Sequence, residues 1–591
     1  MAEKRKRFTT EFWIFAGALL LLFSVFLWRQ FYGFNKNDEI FYISTVYRFF
    51  QGDAMLVDEW NNVQLFAFIT YPLYCFIRFF QNSNEGIVLI FRIVYLIFQA
   101  SVAVYCFCRM KSAGWIRILP ALYYFITTPY NINSLSYNTL AFGFVLLSFV
   151  TVACTETPKI FDFIVLGFFM AGAVLANPYA VLLFLIYGAV CVVVSLISSV
   201  RKQRQSRQRS VSPAAVETES SGRICGQATI QVPEALRFKN YLFVCLGAFL
   251  IFVLFVLFVF SRGTFEEILE CITYIVMDSE RQKSFWEKFV RYFIRIHRYY
   301  RIPLYMTGLL LLLWLADRGK KIPSSLYLVL IFSATIPSIL YYGFFWEMVG
   351  INYMLIPLAF AGFISYLITE DRNRKLFYGW YLPGLFYTLL AHFATNTGIY
   401  TVSASYMIPS AVSIIFIGKA VGEQKKTVWL RTFAIALFSV QFAAGIYQRI
   451  FYVWGDDHLP YLTRTLSEGP LKGIRTSEEN EKLYEDVLMD LKEVPVTSAD
   501  RLLVIGIAPW MYLSTEAECA AYSTWEISET DPLIPVYYEI RREKLPTVVY
   551  FYEYEESILE TETASYFMDQ GFEPVRMRRG ILLLNQDSAA G

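Results

Sequence analysis

A chain of 591 residues that is 56% hydrophobic and 18% aromatic but only 17% charged, with a mean hydropathy of +0.43, is too apolar for water alone. Soluble domains carry about 25% charged residues, so the composition excludes an ordinary soluble enzyme and requires lipid as part of the solvent. The net charge of +2 selects no particular partner, and no nucleic acid is expected among them.

In chain order, Lys4-Arg5-Lys6-Arg7 precedes an apolar run from Phe12 to Trp28. The run is of spanning length and no small-x-small cleavage site follows it, so it reads as a retained first helix rather than a signal peptide. Further apolar runs lie at 87–108, 115–130, 137–154, 160–176, 179–199, 241–260, 303–316, 325–343, 351–368, 376–393, 402–420 and 428–447. They predict an all-α membrane domain over 1–447 with about thirteen transmembrane helices, several near the lower length limit for about 30 Å of hydrocarbon. Lys and Arg gather in alternate connections: Lys4 to Arg7; Arg109, Lys111 and Arg117; Lys159; Arg201 to Arg209; Arg318, Lys320 and Lys321; Arg372 to Lys375; Lys419 to Arg431. The connections 131–136, 344–350 and 394–401 hold none. This bias predicts a multi-pass protein of the cell membrane with a cytosolic N-terminus and, for an odd number of crossings, an extracytoplasmic C-terminal domain.

Two segments differ from the rest. Residues 201–239 are basic, then Ser/Gln-rich, without apolar periodicity, and read as a disordered cytosolic loop. Residues 448–591 read as an extracytoplasmic α/β domain. Strands are predicted at 501–507, 548–552 and 580–584, and amphipathic helices at 477–493 and 556–570, giving a small, partly parallel sheet. Gly506 lacks the neighbouring glycines of a dinucleotide fingerprint. The nine cysteines form no CxxC motif and the three histidines have no metal-ligand spacing, so no cofactor is expected and nothing in the sequence supports a divalent metal. The aromatic groups Trp510 to Tyr512 and Tyr522 to Trp525 read as core, with glycan stacking the sharper alternative.

The first outside segment, 29–86, is long and acidic. Asn35-Lys36-Asn37-Asp38-Glu39 opens a predicted helix from Asp38 to Phe50, and Asp58-Glu59 follows. The plain reading of Asp38 is an acid at a helix N-terminus, and that of Asp58 and Glu59 a solvated loop pair. A second outside segment, 262–301, is amphipathic and breaks the charge bias. Arg291, Arg295, Arg298 and Arg301 share one arc of about 120° at 100° per residue, with Phe289, Phe293, Ile296 and Tyr300 opposite. That is the pattern of a helix lying flat on the bilayer. Its arginines suit either anionic head groups or a bound phosphate, which a planar guanidinium holds bidentately. Glu347, beside Trp346 in a short outside connection, is a further candidate contact.

The architecture resembles the GT-C glycosyltransferases, which include the protein O-mannosyltransferases and the lipid A aminoarabinose transferases. The likeness lies in one span before a long outer loop opening with Asp38-Glu39, the stretch from Gln51-Gly52-Asp53 to Tyr71-Pro72-Leu73-Tyr74, Arg92, many spans, and a terminal outside domain. It implies transfer of a sugar from a polyprenyl-phosphate donor to a lipid, glycan or protein acceptor, with inversion. Asp38 would be the base and Glu39 would position hydroxyls, with Asp58, Glu59, Arg291, Arg295, Arg298 and Glu347 contacting substrates. The chain departs from the family at Trp60-Asn61-Asn62-Val63-Gln64, where some members have a basic residue, and at Asn133-Ser134-Leu135-Ser136-Tyr137-Asn138, where some have an Asp. The rival readings are a transporter or flippase of lipid-linked glycans, for which Arg92 and Asp162 are the clearest intramembrane charges, and a non-catalytic membrane binding protein.

Overall fold

The computed structural model describes residues 9–211, 233–276, 284–317, 321–346, 352–394, 398–424, 427–494 and 496–585. It is predominantly helical. Among the described residues, eight helices are long and apolar enough to cross a membrane: Thr10–Arg29, Ile87–Arg109, Tyr137–Cys154, Pro178–Arg201, Phe238–Phe260, Ser324–Phe345, Tyr400–Glu423 and Val428–Phe451. A ninth results if the bent pair Phe285–Tyr299 and Arg301–Ala316 counts as one span, and Phe66–Phe80, Ile160–Ala176 and Leu355–Ile368 are shorter apolar helices. This is the character of a multi-pass membrane protein. The expected runs outnumber the membrane-length helices because an apolar stretch need not be one long helix. Run 115–130 holds only the 9-residue helix Ile118–Ile126, and run 376–393 opens with a π-helical turn, Phe377–Tyr381, before Leu382–Phe393.

Tyr137–Cys154 and Tyr400–Glu423 are buried among other helices, whereas Thr10–Arg29, Pro178–Arg201 and Phe238–Phe260 expose most of their apolar side chains. In water such a surface would be an aggregation patch; in lipid it is the solvated face. The helices Ile160–Ala176 and Phe238–Phe260 touch backbone to backbone. A Cβ on Gly167 would lie 2.2 Å from the Val244 carbonyl, and one on Gly247 would lie 2.1 Å from that of Ile164. Small residues allow this close approach where no hydrophobic effect drives helices together.

Two expectations are corrected. The basic residues 201–211 are not loop: they continue the 31-residue helix Val181–Val211. Arg, Lys, Gln and Ser carry modest helix penalties, and no Gly or Pro intervenes before Pro213. At about 1.5 Å per residue this helix exceeds the hydrocarbon thickness, so its charged end projects beyond it. The chain is again ordered at the turn Glu234–Leu236 and the helix starting at Phe238, and 212–232 lie outside the described residues. In the second amphipathic segment the chain bends by 98° between Tyr299 and Arg301, so Arg301 opens the next helix and does not share the arginine face. Ile296 and Tyr300 are buried in protein rather than facing lipid, while Trp286, Val290, Phe293 and Ile294 form the exposed apolar side.

The C-terminal domain has a five-stranded sheet in the order Glu518–Cys519, Arg501–Ile505, Val548–Tyr552, Gly580–Asn585, Phe572–Met577. The first three strands are parallel, and Gly580–Asn585 is antiparallel to both its neighbours. Helix Glu478–Glu493 packs Leu483, Val487, Leu488 and Leu491 into the core, and Trp510 and Tyr512 are buried there too. Residues 30–86 are not a free loop. They fold onto this domain through Gly33 N–H to Arg475 O at 2.8 Å, Arg475 N–H to Phe31 O at 2.7 Å and Trp60 N–H to Tyr522 O at 2.7 Å. Trp60 also packs edge-on against Tyr537 at 4.9 Å between ring centroids.

Candidate functional site

The site is assembled where the first and last membrane-length helices end together. Arg29, closing Thr10–Arg29, donates from Nε to Ile450 O (2.8 Å), from Nη1 to Tyr32 O (2.6 Å) and from Nη2 to Tyr452 O (3.1 Å). This ties the exit of Val428–Phe451 to that of the first helix. Asp456 then fixes the segment leading to Asp38: Oδ2 accepts from Phe34 N–H (2.7 Å) and Thr476 (2.6 Å), and Oδ1 from Asn480 (2.7 Å).

Asp38 is the first residue of helix Asp38–Gln51 and is half-buried. Its Oδ2 accepts from the Trp454 indole N–H at 2.8 Å. Burial pushes its carboxyl up from the usual 3.8 to about 6, against the opposing pull of the Trp454 hydrogen bond. The helix dipole and the indole favour the anion, yet loss of water dominates. Buried Tyr42, one turn on, is itself raised by burial and by the Asp38 charge.

Glu39 is held differently. Arg92 grips it bidentately, Nε to Oε1 and Nη2 to Oε2, both at 2.6 Å, and the same guanidinium donates to Gln30 O (2.8 Å) and Gly33 O (2.7 Å). Both Glu39 oxygens are thus engaged in a buried pair, next to Asp38 in the chain. Asp58 and Glu59 are not solvated either. Arg48 binds Asp53 (2.7 Å) and Glu59 (2.7 Å) through its side chain, and the Asp58 and Ala521 carbonyls at 2.9 Å each. Asp58 faces Arg541 at 2.9 Å and accepts from Ala54 N–H at 2.6 Å. Burial raises both Asp58 and Glu59 above the ordinary carboxylate range, Asp53 adding to the rise at Asp58. This network joins the first segment to the C-terminal domain, so Asp58 and Glu59 are structural ties rather than groups open to a substrate.

The basic face of helix Phe285–Tyr299 points away from its apolar side. Arg291 pairs with Glu287 at 2.6 Å, and Arg298 is exposed beside the Tyr299 ring at 6.0 Å. Arg295 is half-buried against the Gly398 backbone, where a Cβ would lie 2.1 Å from Nη1, and its charge acts on Tyr353. A run of aromatic contacts links this region to Asp38. Trp454 lies 6.0 Å from Tyr130, the Tyr130 and Thr401 hydroxyls are hydrogen-bonded, and Tyr400 lies 6.2 Å from Tyr353. The structure therefore brings Asp38 and Arg295 to one end of the membrane domain. Glu347 lies outside the described residues, as do residues 395–397 beside Gly398.

Sequence reasoning missed Trp454, Tyr130 and Asn131. Tyr130 (φ 56°) and Asn131 (φ 55°) are consecutive left-handed residues, a costly backbone for a tyrosine. Asn131 is fixed by donating to Gln448 O at 2.6 Å, and nearby Asn133 Oδ1 and Ser134 Oγ are buried without a hydrogen-bond partner among the described residues. A Trp seven residues after the last apolar run is the available signal for Trp454; nothing in sequence marks the Tyr130 conformation. No family model and no curated protein matches the chain.

Proposed function

We propose that the protein is an inverting membrane glycosyltransferase that moves a sugar from a polyprenyl-phosphate-linked donor to an acceptor hydroxyl on the extracytoplasmic side. The observation that carries this reading is Asp38, a half-buried carboxylate with pKa about 6, held by Trp454 at the junction of the first and last membrane-length helices. At pH 7 the ionised form prevails, and the anion is a stronger base than an exposed Asp. In the reaction, Asp38 takes the hydroxyl proton as the acceptor oxygen bonds to the anomeric carbon. The bond from that carbon to the phosphate oxygen breaks with its electron pair, leaving polyprenyl phosphate. Arg295, on helix Phe285–Tyr299, would receive that charge. Glu39, already paired with Arg92, acts as a positioning residue rather than as a contact to sugar.

In this topology the bent pair, the shorter helices Ile160–Ala176 and Leu355–Ile368, and the broken runs 115–130 and 376–393 bring the crossings to about thirteen, while Phe66–Phe80 stays with the first outside segment. The N-terminus and the basic end of Val181–Val211 lie in the cytosol and the C-terminal domain outside, as the distribution of Lys and Arg supports. The transporter reading is less favoured because Arg92 is paired with Glu39 and Asp162 with Arg109 at 2.5 Å, leaving neither free to bind a coupling ion. The test is reconstitution in liposomes with a polyprenyl-phosphate sugar and an envelope extract as acceptor. Wild type should release polyprenyl phosphate in step with sugar transfer. Transport of intact donor without its cleavage would refute the proposal.

A further inference from the structure

The C-terminal domain has a cavity of about 420 Å³, within the usual range of small-ligand pockets, about 300–1,000 Å³. Its place follows from the sheet. From strand Arg501–Ile505 the chain goes to Glu518–Cys519 on one side, then crosses to Val548–Tyr552 on the other. Between the two parallel strands whose connections diverge, the strand ends leave a crevice, the switch point at which open α/β sheets bind ligands. Gly506 and Glu553, the residues just beyond those strands, both line the cavity. Each has a constrained backbone. Gly506 has φ 116° and a Cβ there would lie 3.1 Å from Tyr552 O; Glu553 has φ 60°, unusual for a residue with a side chain.

The lining chemistry is selective. Its charged lining among the described residues is Glu526, Glu529 and Glu553 with one cation, Lys36, and Ser528, Tyr552 and Tyr554 add hydroxyls. Glu529 accepts from the Tyr554 hydroxyl, which holds its carboxyl below the ordinary range and keeps it charged. The buried Tyr552 hydroxyl makes no hydrogen bond among the described residues. Three carboxylates against one ammonium repel a phosphate, so the donor head group does not belong here. Carboxylates and tyrosines do suit a ligand rich in hydroxyl or amine donors with apolar ring faces. Lys36 stands two residues before Asp38, and Gly455, next to Trp454, packs on Asn35 with a Cβ position 3.4 Å from its Cα. One short segment therefore forms both the cavity wall and the base.

We infer that this cavity binds the acceptor, and that the acceptor presents a neutral or amine-bearing carbohydrate to it. The inference rests on the glycosyltransferase reading for the word acceptor, but its binding test does not need turnover. The full-length protein in nanodiscs would be studied by saturation-transfer difference NMR with three probes: a glucosamine trisaccharide, maltotriose and trigalacturonate. Wild type should saturate the first two and not the third. Ser528→Trp, which fills the cavity, should cut those signals about tenfold, equivalent to about 1.4 kcal/mol. Glu553→Gly removes a carboxylate while relieving the positive φ, so it should fold at least as well and lose the preference for the amine sugar. Equal signals in wild type and Ser528→Trp, no saturation by either non-acidic sugar, or saturation by trigalacturonate would overturn the inference. The two claims fail separately. Transport of intact donor by wild type without sugar transfer, but with normal probe binding, sinks the glycosyltransferase reading alone; a Ser528→Trp variant that loses probe binding yet transfers sugar at the wild-type rate sinks this one alone.

Discussion

Replacing Asp38 by Asn should make the protein more stable and far less active. Burial raises the carboxyl from 3.8 to about 6, and about two units correspond to roughly 3 kcal/mol disfavouring the ionised form. The native state holds the proton more tightly than the unfolded chain. The stabilisation from this group is therefore complete below about pH 4 and lost as pH rises through about 6. Asn is uncharged throughout, matches the carboxyl in size, and its Oδ1 still accepts from the Trp454 indole, now 2.8 Å from the Asp38 oxygen. Asp38→Asn should thus match wild type near pH 4 and exceed it at pH 8 by an amount approaching 3 kcal/mol. Over the same range it should lose about two to four powers of ten in turnover, the usual range for a general base. Denaturant unfolding in detergent at the two pH values, paired with sugar transfer at saturating donor, reads both effects. An Asn variant that transfers sugar normally, or that is less stable than wild type at pH 8, would refute the reasoning.

Turnover of the wild type should rise with pH through about 6 and then level, following ionisation of Asp38; a profile flat from pH 5 to 8 would contradict this. Arg295→Ala should raise the donor KM about ten- to a hundredfold, the worth of a lost charge-assisted bond, whereas Arg291→Ala, already paired with Glu287, should change it little. Steady-state kinetics with varied donor separates the two, and equal effects would remove Arg295 from the site. Arg48→Met leaves Glu59 buried without its cation and Asp53 with Lys544 alone at 2.5 Å, and should cost about 3–5 kcal/mol, seen as protease sensitivity between the first segment and the C-terminal domain; undiminished resistance would mean the network is not what joins them. A cysteine at exposed Glu573 should react with an impermeant thiol reagent on intact cells, and one at exposed Arg201 only after permeabilisation; the reverse would invert the topology.

Much of the fold can be read from local pattern because local pattern is what causes it. The strand at Arg501–Ile505 is a run of Leu, Val and Ile, and Ser477 marks the start of its helix by accepting from Asn480 N–H. The bend between Tyr299 and Arg301 is also local in origin, since an amphipathic helix with lipid on one side cannot continue straight into an apolar span. Arg48 shows what sequence could not convey. Its partners include Ala521, 473 positions away, so the acidic pair at Asp58 and Glu59 looks solvated until the C-terminal domain is laid over it. Glu39 is similar: its occupation by Arg92 depends on how a helix starting at Ile87 passes the first segment. The helix Phe66–Phe80 has Pro72 inside it, a residue that disfavours helix in sequence, yet the flanking apolar residues hold the turns on either side.

The most direct test of the central claim is a structure of the full-length protein with a non-hydrolysable polyprenyl-phosphate sugar bound. The account predicts the phosphate against the Arg295 guanidinium and the anomeric carbon on the side facing Asp38, with the crevice at Gly506 and Glu553 left open for the acceptor. A donor whose phosphate lies away from Arg295, or whose sugar lies beyond reach of Asp38, would contradict it.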